Sequence, residues 1–183
     1  TEQLRQQDAA HHLHPFSDTA SLNKQGARVI TRADGIYLWD SEGNRIIDGM
    51  AGLWCVNIGH GRKDLAEVAR VQMETLAFYN TFFKTTHPAV VDLSSLLAEI
   101  APPGFSRLFY TNSGSEAVDT MMRMVRHFWD VQGKPEKKVL IGRWNGYHGS
   151  TIGAASLGGM TYMHEQGDLP IPDIEHVEQP WWY

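Results

Sequence analysis

The sequence predicts an α/β fold, in which a small antiparallel β-meander precedes the start of a larger sheet built from β-α-β units. Three observations carry this expectation. Residues 27–48 alternate apolar and polar side chains around turn-forming breaks. Pro102-Pro103-Gly104 then interrupts the chain with a double breaker, its best internal boundary. Beyond it, two short β-rich runs flank one long amphipathic stretch, the pattern of parallel strands joined by a right-handed helical crossover. Four segments follow: an arm over 1–26, a meander and loop over 27–61, a helical connection over 62–104, and the first part of a larger domain over 105–183.

Each element has a local reason. Residues 1–26 are polar and mixed, an arm carrying one short helix. Its His11, His12 and His14 precede Pro15 with no Cys or carboxylate cluster beside them, so they read as an arm that contacts a partner, not as a metal site. The meander strands are centred on Val29-Ile30-Thr31, Ile36-Tyr37-Leu38-Trp39 and Ile46-Ile47. The breaks between them, Asp34-Gly35 and Ser41-Glu42-Gly43-Asn44, supply the residues tight turns need. Gly49, Gly52, Gly59 and Gly61, with Trp54 among them, predict an ordered loop. Asp64 is expected to cap a helix bearing Leu65, Val68, Ala69, Met73 and Leu76 at helical spacing. Pro88 opens a second helix with Val91, Leu93, Leu96, Leu97 and Ile100.

After the double breaker, Arg107-Leu108-Phe109-Tyr110-Thr111 reads as a strand and Asn112–Ser115 as the loop that follows it. A long helix then carries Ala117, Val118, Met121, Met124, Val125 and Phe128 and ends near Gly133. Lys138–Gly142 is the next strand. In an open α/β sheet, ligands bind beyond the carboxyl ends of the strands, so the loops 112–115 and 143–149 are expected on one edge. Met121, Met122 and Met124 read as core, because Met fills irregular gaps.

Composition narrows the function. Acidic residues outnumber Lys and Arg, 21 to 16, for a charge of −5, which argues against the basic surface that nucleic acids require. No apolar run approaches the ~20 residues of a membrane span, and the N-terminus lacks a signal-peptide core. Cys55 is the single cysteine, so no internal disulfide forms. A cytoplasmic globular protein is expected. The missing initial Met and the terminal Trp181-Trp182-Tyr183 suggest the N-terminal part of a longer protein.

The loop Asn112-Ser113-Gly114-Ser115 has the chemistry of a phosphate cradle: a glycine for close approach, two hydroxyls, and the free N–H groups of a helix start. The competing reading is a serine that only caps the helix. Neither a Lys-Ser/Thr phosphate loop nor a Gly-x-Gly-x-x-Gly fingerprint is present. In the second loop, Tyr147 offers a ring to a flat heteroaromatic ligand and His148 an acid, base or hydrogen-bond donor. Together the two loops suggest a phosphorylated aromatic cofactor.

Asp34-Gly35-Ile36-Tyr37-Leu38-Trp39-Asp40, Gly59-His60-Gly61, Thr111-Asn112-Ser113-Gly114-Ser115-Glu116-Ala117 and Asn145-Gly146-Tyr147-His148-Gly149 together resemble the class III aminotransferases, pyridoxal-phosphate enzymes of fold type I. The segments 50–55, 79–88 and 143–151 are more specific and resemble bacterial ω-transaminases of the amine–pyruvate type. The resemblance implies that Gly114 and Ser115 hold the phosphate of pyridoxal 5'-phosphate and that Ser113 shapes the turn. It implies that Tyr147 stacks on the pyridine ring and His148 supports that pocket. Phe16, Leu53, Trp54 and Tyr162 match substrate-wall positions, and Phe82 matches a position that reaches the partner's pocket in a homodimer with shared active sites. Val118 departs from the smaller or polar residue common there. The family's Schiff-base lysine matches none of Lys24, Lys63, Lys84, Lys134, Lys137 and Lys138, so it is expected beyond Tyr183, and the chain alone is expected to be inactive. The function so implied is transfer of an amino group from a primary amine to pyruvate. The alternative is a noncatalytic α/β module that binds a phosphate ligand.

Overall fold

The computed structural model describes residues 1–180, so Trp181, Trp182 and Tyr183 lie outside the described residues. The chain divides into two compact units, Thr1–His87 and Pro88–Tyr183.

The first unit opens with two helices where one was expected: α1 (Glu2–His11) and α2 (Thr19–Gln25). Asp18 nucleates α2 by accepting the Ser21 N–H at 2.7 Å, which satisfies one of the orphan donors of a helix start. Arg5 ties the arm to the meander through Ala27 O at 3.0 Å and the Glu42 carboxylate at 2.8 Å. The meander is as expected, with β1 (Ile30–Asp34), β2 (Tyr37–Asp40) and β3 (Arg45–Ile47) antiparallel in the order β1-β2-β3. Its second turn closes because Asp40 folds its carboxylate back onto the N–H groups of Glu42 and Asn44 at 3.0 and 2.9 Å. The segment after β3 contains α3 (Ala51–Trp54), and α4 (Lys63–Leu76) follows. Asp64 does not cap α4. Arg62 occupies the cap position, and Asp64 lies in the first turn, drawn to the Arg62 guanidinium at 2.9 and 2.5 Å, where its charge favours the helix dipole.

The second unit begins with α5 (Pro88–Ile100), bounded by its prolines as the sequence suggests. Residues 107–111 form no strand. A strand exists only through ladder hydrogen bonds to a neighbour, and no described residue pairs with this segment. The long helix is present as α6 (Gly114–Val131). β4 (Leu140–Arg143) starts two residues later than expected and pairs in parallel with β5 (Ile174–Val177), which the sequence reading had missed. Two short helices, α7 (Ile152–Leu157) and α8 (Thr161–His164), lie between those strands, so the parallel connection runs through them and not through α6. The core joins Met122 of α6, Leu157 of α7 and Ile174 of β5, with Val118, Leu140 and Ile171 packed against it. Of the methionine run, Met122 is core, whereas Met121 and Met124 are exposed. Helical geometry explains this, because Val118 and Met122 are one turn apart on the buried face. No helix among the described residues is long and apolar enough to cross a membrane.

Candidate functional site

The first turn of α6 is built to be left open. Ser113 is its N-cap, extended at φ −150 and ψ 160, and its Oγ accepts the Glu116 N–H at 3.1 Å. Glu116 reaches back to the Asn112 N–H at 2.8 Å, so cap and carboxylate support each other. That accounting leaves the N–H groups of Gly114 and Ser115 without a hydrogen-bond partner among the described residues. Gly114 adds a second sign. A Cβ placed there would meet nothing within 4 Å, so the chain's own packing does not require a glycine. Open space, two unpartnered donors and the positive end of an 18-residue helix are the features that could hold a tetrahedral oxyanion.

The Gly146–Ser150 loop is fastened to this turn. Ser115 Oγ accepts the Ser150 N–H at 3.0 Å, which leaves its own proton available to donate. Gly149, at φ 134, comes so near α6 that a Cβ would lie 2.5 Å from Ser115 Oγ and 2.8 Å from Ser115 Cα. The loops 112–115 and 143–149 therefore meet, although no strand precedes the first. The base of the second loop is equally constrained. Asn145, at φ 61, donates its N–H to Gly159 O at 2.9 Å, and Gly159 returns an N–H to Gly146 O at 2.9 Å. A side chain at Gly159 would collide with the backbone of Arg143 and Trp144. Tyr147 and His148 thus extend, exposed, from a braced loop.

Three aromatic rings that the sequence reading had not singled out brace that base. Trp144 stacks on His176 at 4.7 Å between centroids, and buried His164 lies 5.1 Å from His176. The Nε2 atoms of His164 and His176 both lie 2.7 Å from Gly158 O. A carbonyl oxygen only accepts, so both imidazoles donate from Nε2. The glycine pair Gly158-Gly159 was the available signal. Tyr162 is on α8, with its hydroxyl donating to Met160 Sδ at 3.0 Å.

In the first unit, Leu53 and Trp54 occupy an unusual backbone. Ala51, Gly52, Leu53 and Trp54 have φ of 47, 60, 66 and 65, a left-handed turn of four consecutive residues. Only the glycine adopts this freely; each of the others costs roughly 1–2 kcal/mol. Asp48 holds the turn from below: its backbone carbonyl accepts the Ala51 N–H at 3.2 Å and its carboxylate the Gly52 N–H at 3.0 Å. The same carboxylate oxygen bonds His60 Nε2 at 2.8 Å. That histidine, followed by the Gly52 N–H, holds the Asp48 carboxyl below the usual carboxylate range. The strained turn presents the Trp54 ring 78 % exposed, and strain that the surroundings must over-determine is concentrated at functional sites. The pairing of Asp48 with His60 escaped sequence reasoning because the two are 12 residues apart.

Phe16, at φ 50, is exposed on the arm. Phe82 belongs to a self-held loop in which Thr85 Oγ1 donates to Asn80 O at 3.0 Å and Asn80 Oδ1 accepts the Phe82 N–H at 3.0 Å. This loop projects Phe82 and Phe83 outward, 70 % and 92 % exposed. The structure therefore brings Ser113, Gly114 and Ser115 together with the loop of Tyr147 and His148, and sets Leu53 and Trp54 side by side on one strained turn.

Comparison with known proteins completes the picture. The family model for aminotransferase class-III matches residues 19–181. A putrescine–pyruvate aminotransferase of Pseudomonas aeruginosa is 61% identical over 173 residues, covering 94% of this chain and 38% of that protein. A diaminobutyrate–2-oxoglutarate transaminase of Halomonas elongata is 41% identical over 96% of this chain and 36% of its own length. Among solved structures, an (S)-enantioselective ω-transaminase of Thermomicrobium roseum superposes with a TM-score of 0.94 at 39% identity, over 99% of this chain and 40% of that one. An ω-transaminase of Pseudomonas jessenii in complex with PMP gives 0.94 at 40% identity, over 97% and 39%. The chain thus spans under two-fifths of the length of these relatives.

Proposed function

Because the chain belongs to the class III aminotransferases, we propose that it is part of an enzyme that moves an amino group from a primary amine to pyruvate, giving alanine and an aldehyde or ketone. Enzymes of this class depend on pyridoxal phosphate. The residues present fit that group: the open space at Gly114 and the two unpartnered N–H groups of α6 suit its phosphate, and this is the observation that carries the reading. Similarity to a putrescine–pyruvate aminotransferase supports pyruvate as acceptor and a non-α-amino donor.

In this proposal each group has a defined task. The Gly114 and Ser115 N–H groups bind phosphate oxygens, each contributing about 1.5–3 kcal/mol as a hydrogen bond to a charged acceptor. Ser113 stays the helix cap, and Ser115 donates its hydroxyl proton to the phosphate while its oxygen still accepts from Ser150. Tyr147 lays its ring on the cofactor, and His148 supports the same loop. Leu53, Trp54, Phe16 and Tyr162 contact the donor's substituent and exclude water around it. Phe82 serves the partner's site in a homodimer, a role supported by its exposure on a loop held by its own hydrogen bonds. When bound, the cofactor supplies the electron-withdrawing ring and carries the nitrogen between donor and acceptor. None of the six lysines here is assigned its covalent attachment, so the chain alone is proposed to be inactive.

The test uses the natural gene product purified with pyridoxal phosphate. Putrescine should bleach the yellow colour, and added pyruvate should restore it while alanine accumulates. Binding without bleaching and without alanine would overturn the reading and leave a noncatalytic phosphate-binding module.

A further inference from the structure

We propose that Asp8, His12 and His14 form a binding site for a first-row divalent transition metal ion, such as Zn2+ or Ni2+, which fastens the chain leaving α1 to the last turn of that helix. The histidine run alone lacked a carboxylate; the fold provides one from a turn earlier in α1. His12 Nδ1 lies 3.0 Å from Asp8 Oδ1, and His14 Nε2 lies 3.0 and 2.8 Å from Asp8 Oδ1 and Oδ2. One ligand atom from each of the three residues lies within 4.8 Å of the others. Two imidazoles and one carboxylate are the donor set that borderline divalent ions prefer.

The 2.8–3.0 Å nitrogen–oxygen separations are those of hydrogen bonds, so the ion would take the place of the protons shared between carboxylate and imidazoles. The ring nitrogens that now face the carboxylate must present lone pairs to the ion. A neutral imidazole achieves this by moving its proton to the opposite ring nitrogen.

The arm is prepared for this role. His12 leaves the helical conformation at φ −112 and ψ 119 while its N–H still caps Asp8 O at 2.9 Å. The His12 and His14 rings lie against each other, tilted by 43° with 4.1 Å between centroids. Asp8 and His14 side chains are only 23% and 25% exposed, so little ordering remains to be done, whereas His12 at 59% leaves solvent access for entry. The proposal is independent of the transaminase reading and stands even if that reading fails.

The experiment is calorimetric titration of Zn2+ into the untagged, EDTA-treated gene product, compared with Asp8→Asn, His14→Gln, His12→Gln and the exposed control His127→Gln. One saturable site is expected. Loss of an outer-shell partner typically weakens metal binding about 10- to 100-fold, so loss of a direct ligand in any of the first three variants should cost at least tenfold, with the control unchanged. Far-UV circular dichroism checks that each variant folds. Absence of saturable binding, or an affinity in Asp8→Asn and His14→Gln equal to that of the parent, would overturn the proposal.

Discussion

Gly114→Ala separates a glycine kept for folding from one kept for a ligand. If the residue served the chain's own packing, an added methyl would clash and destabilise. The geometry says otherwise, because a Cβ at Gly114 meets nothing within 4 Å and its φ is not in the left-handed region. Replacing such a glycine narrows the unfolded ensemble and should stabilise the cofactor-free protein by about 0.4–1 kcal/mol. The same methyl occupies the approach to two N–H donors. Loss of one hydrogen bond to a charged oxygen, about 1.5–3 kcal/mol, corresponds to roughly 10- to 150-fold weaker binding at 1.4 kcal/mol per decade. The two effects have opposite signs, which no general loss of structure would produce. Urea unfolding of the cofactor-free variant measures the first, and fluorescence titration with pyridoxal phosphate the second. A destabilisation beyond 1 kcal/mol, or cofactor affinity within twofold of the parent, would refute the assignment.

The remaining expectations concern the supports of the site. Gly149→Ala should destabilise by roughly 2–6 kcal/mol, since overpacking against Ser115 and Ala154 and a side chain at φ 134 each cost about 1–3 kcal/mol; thermal denaturation reads the loss. Ser115→Ala removes both a proposed phosphate donor and the acceptor for Ser150, so cofactor retention on dialysis should fall about tenfold or more; full retention would leave Ser115 only its hydrogen bond to the Ser150 loop. Asp48 titrates below the usual carboxylate range when folded, chiefly through its His60 hydrogen bond, so the unfolded chain takes up this proton first on acidification. Its stabilisation is therefore complete above pH ~4 and is lost as pH falls through the lower folded value. Asp48→Asn should flatten part of that acid limb in pH-dependent unfolding; an identical limb would remove Asp48 as the brace of the Leu53–Trp54 turn.

Which parts of this molecule were legible in sequence follows from the range of the forces involved. The meander could be read because Gly35, at φ 53, and Gly43, at φ 86, fix its two turns locally. α5 and α6 could be read because their starts are written in Pro88 and Ser113. Residues 107–111 and β5 show the opposite case. The first has the β composition but no strand partner among the described residues, and the second has a partner 34 residues away with little local signal. The same division runs through the site. Ser113-Gly114-Ser115 is a local motif, but whether it caps or cradles depended on which N–H groups the fold consumes. The hydroxyl of Ser113 closes one donor, and the N–H groups of Gly114 and Ser115 have no partner among the described residues. The left-handed turn at 51–54 could not be inferred from Ala, Leu and Trp, which disfavour it; Asp48 and His60 impose it through contacts the chain makes only once folded. The Asp8 carboxylate reaches its histidines in the same way. Local chemistry thus names the candidate groups for a ligand, while the groups that hold them in place are set by tertiary contacts. Substitution of the second kind should change geometry before it changes chemistry.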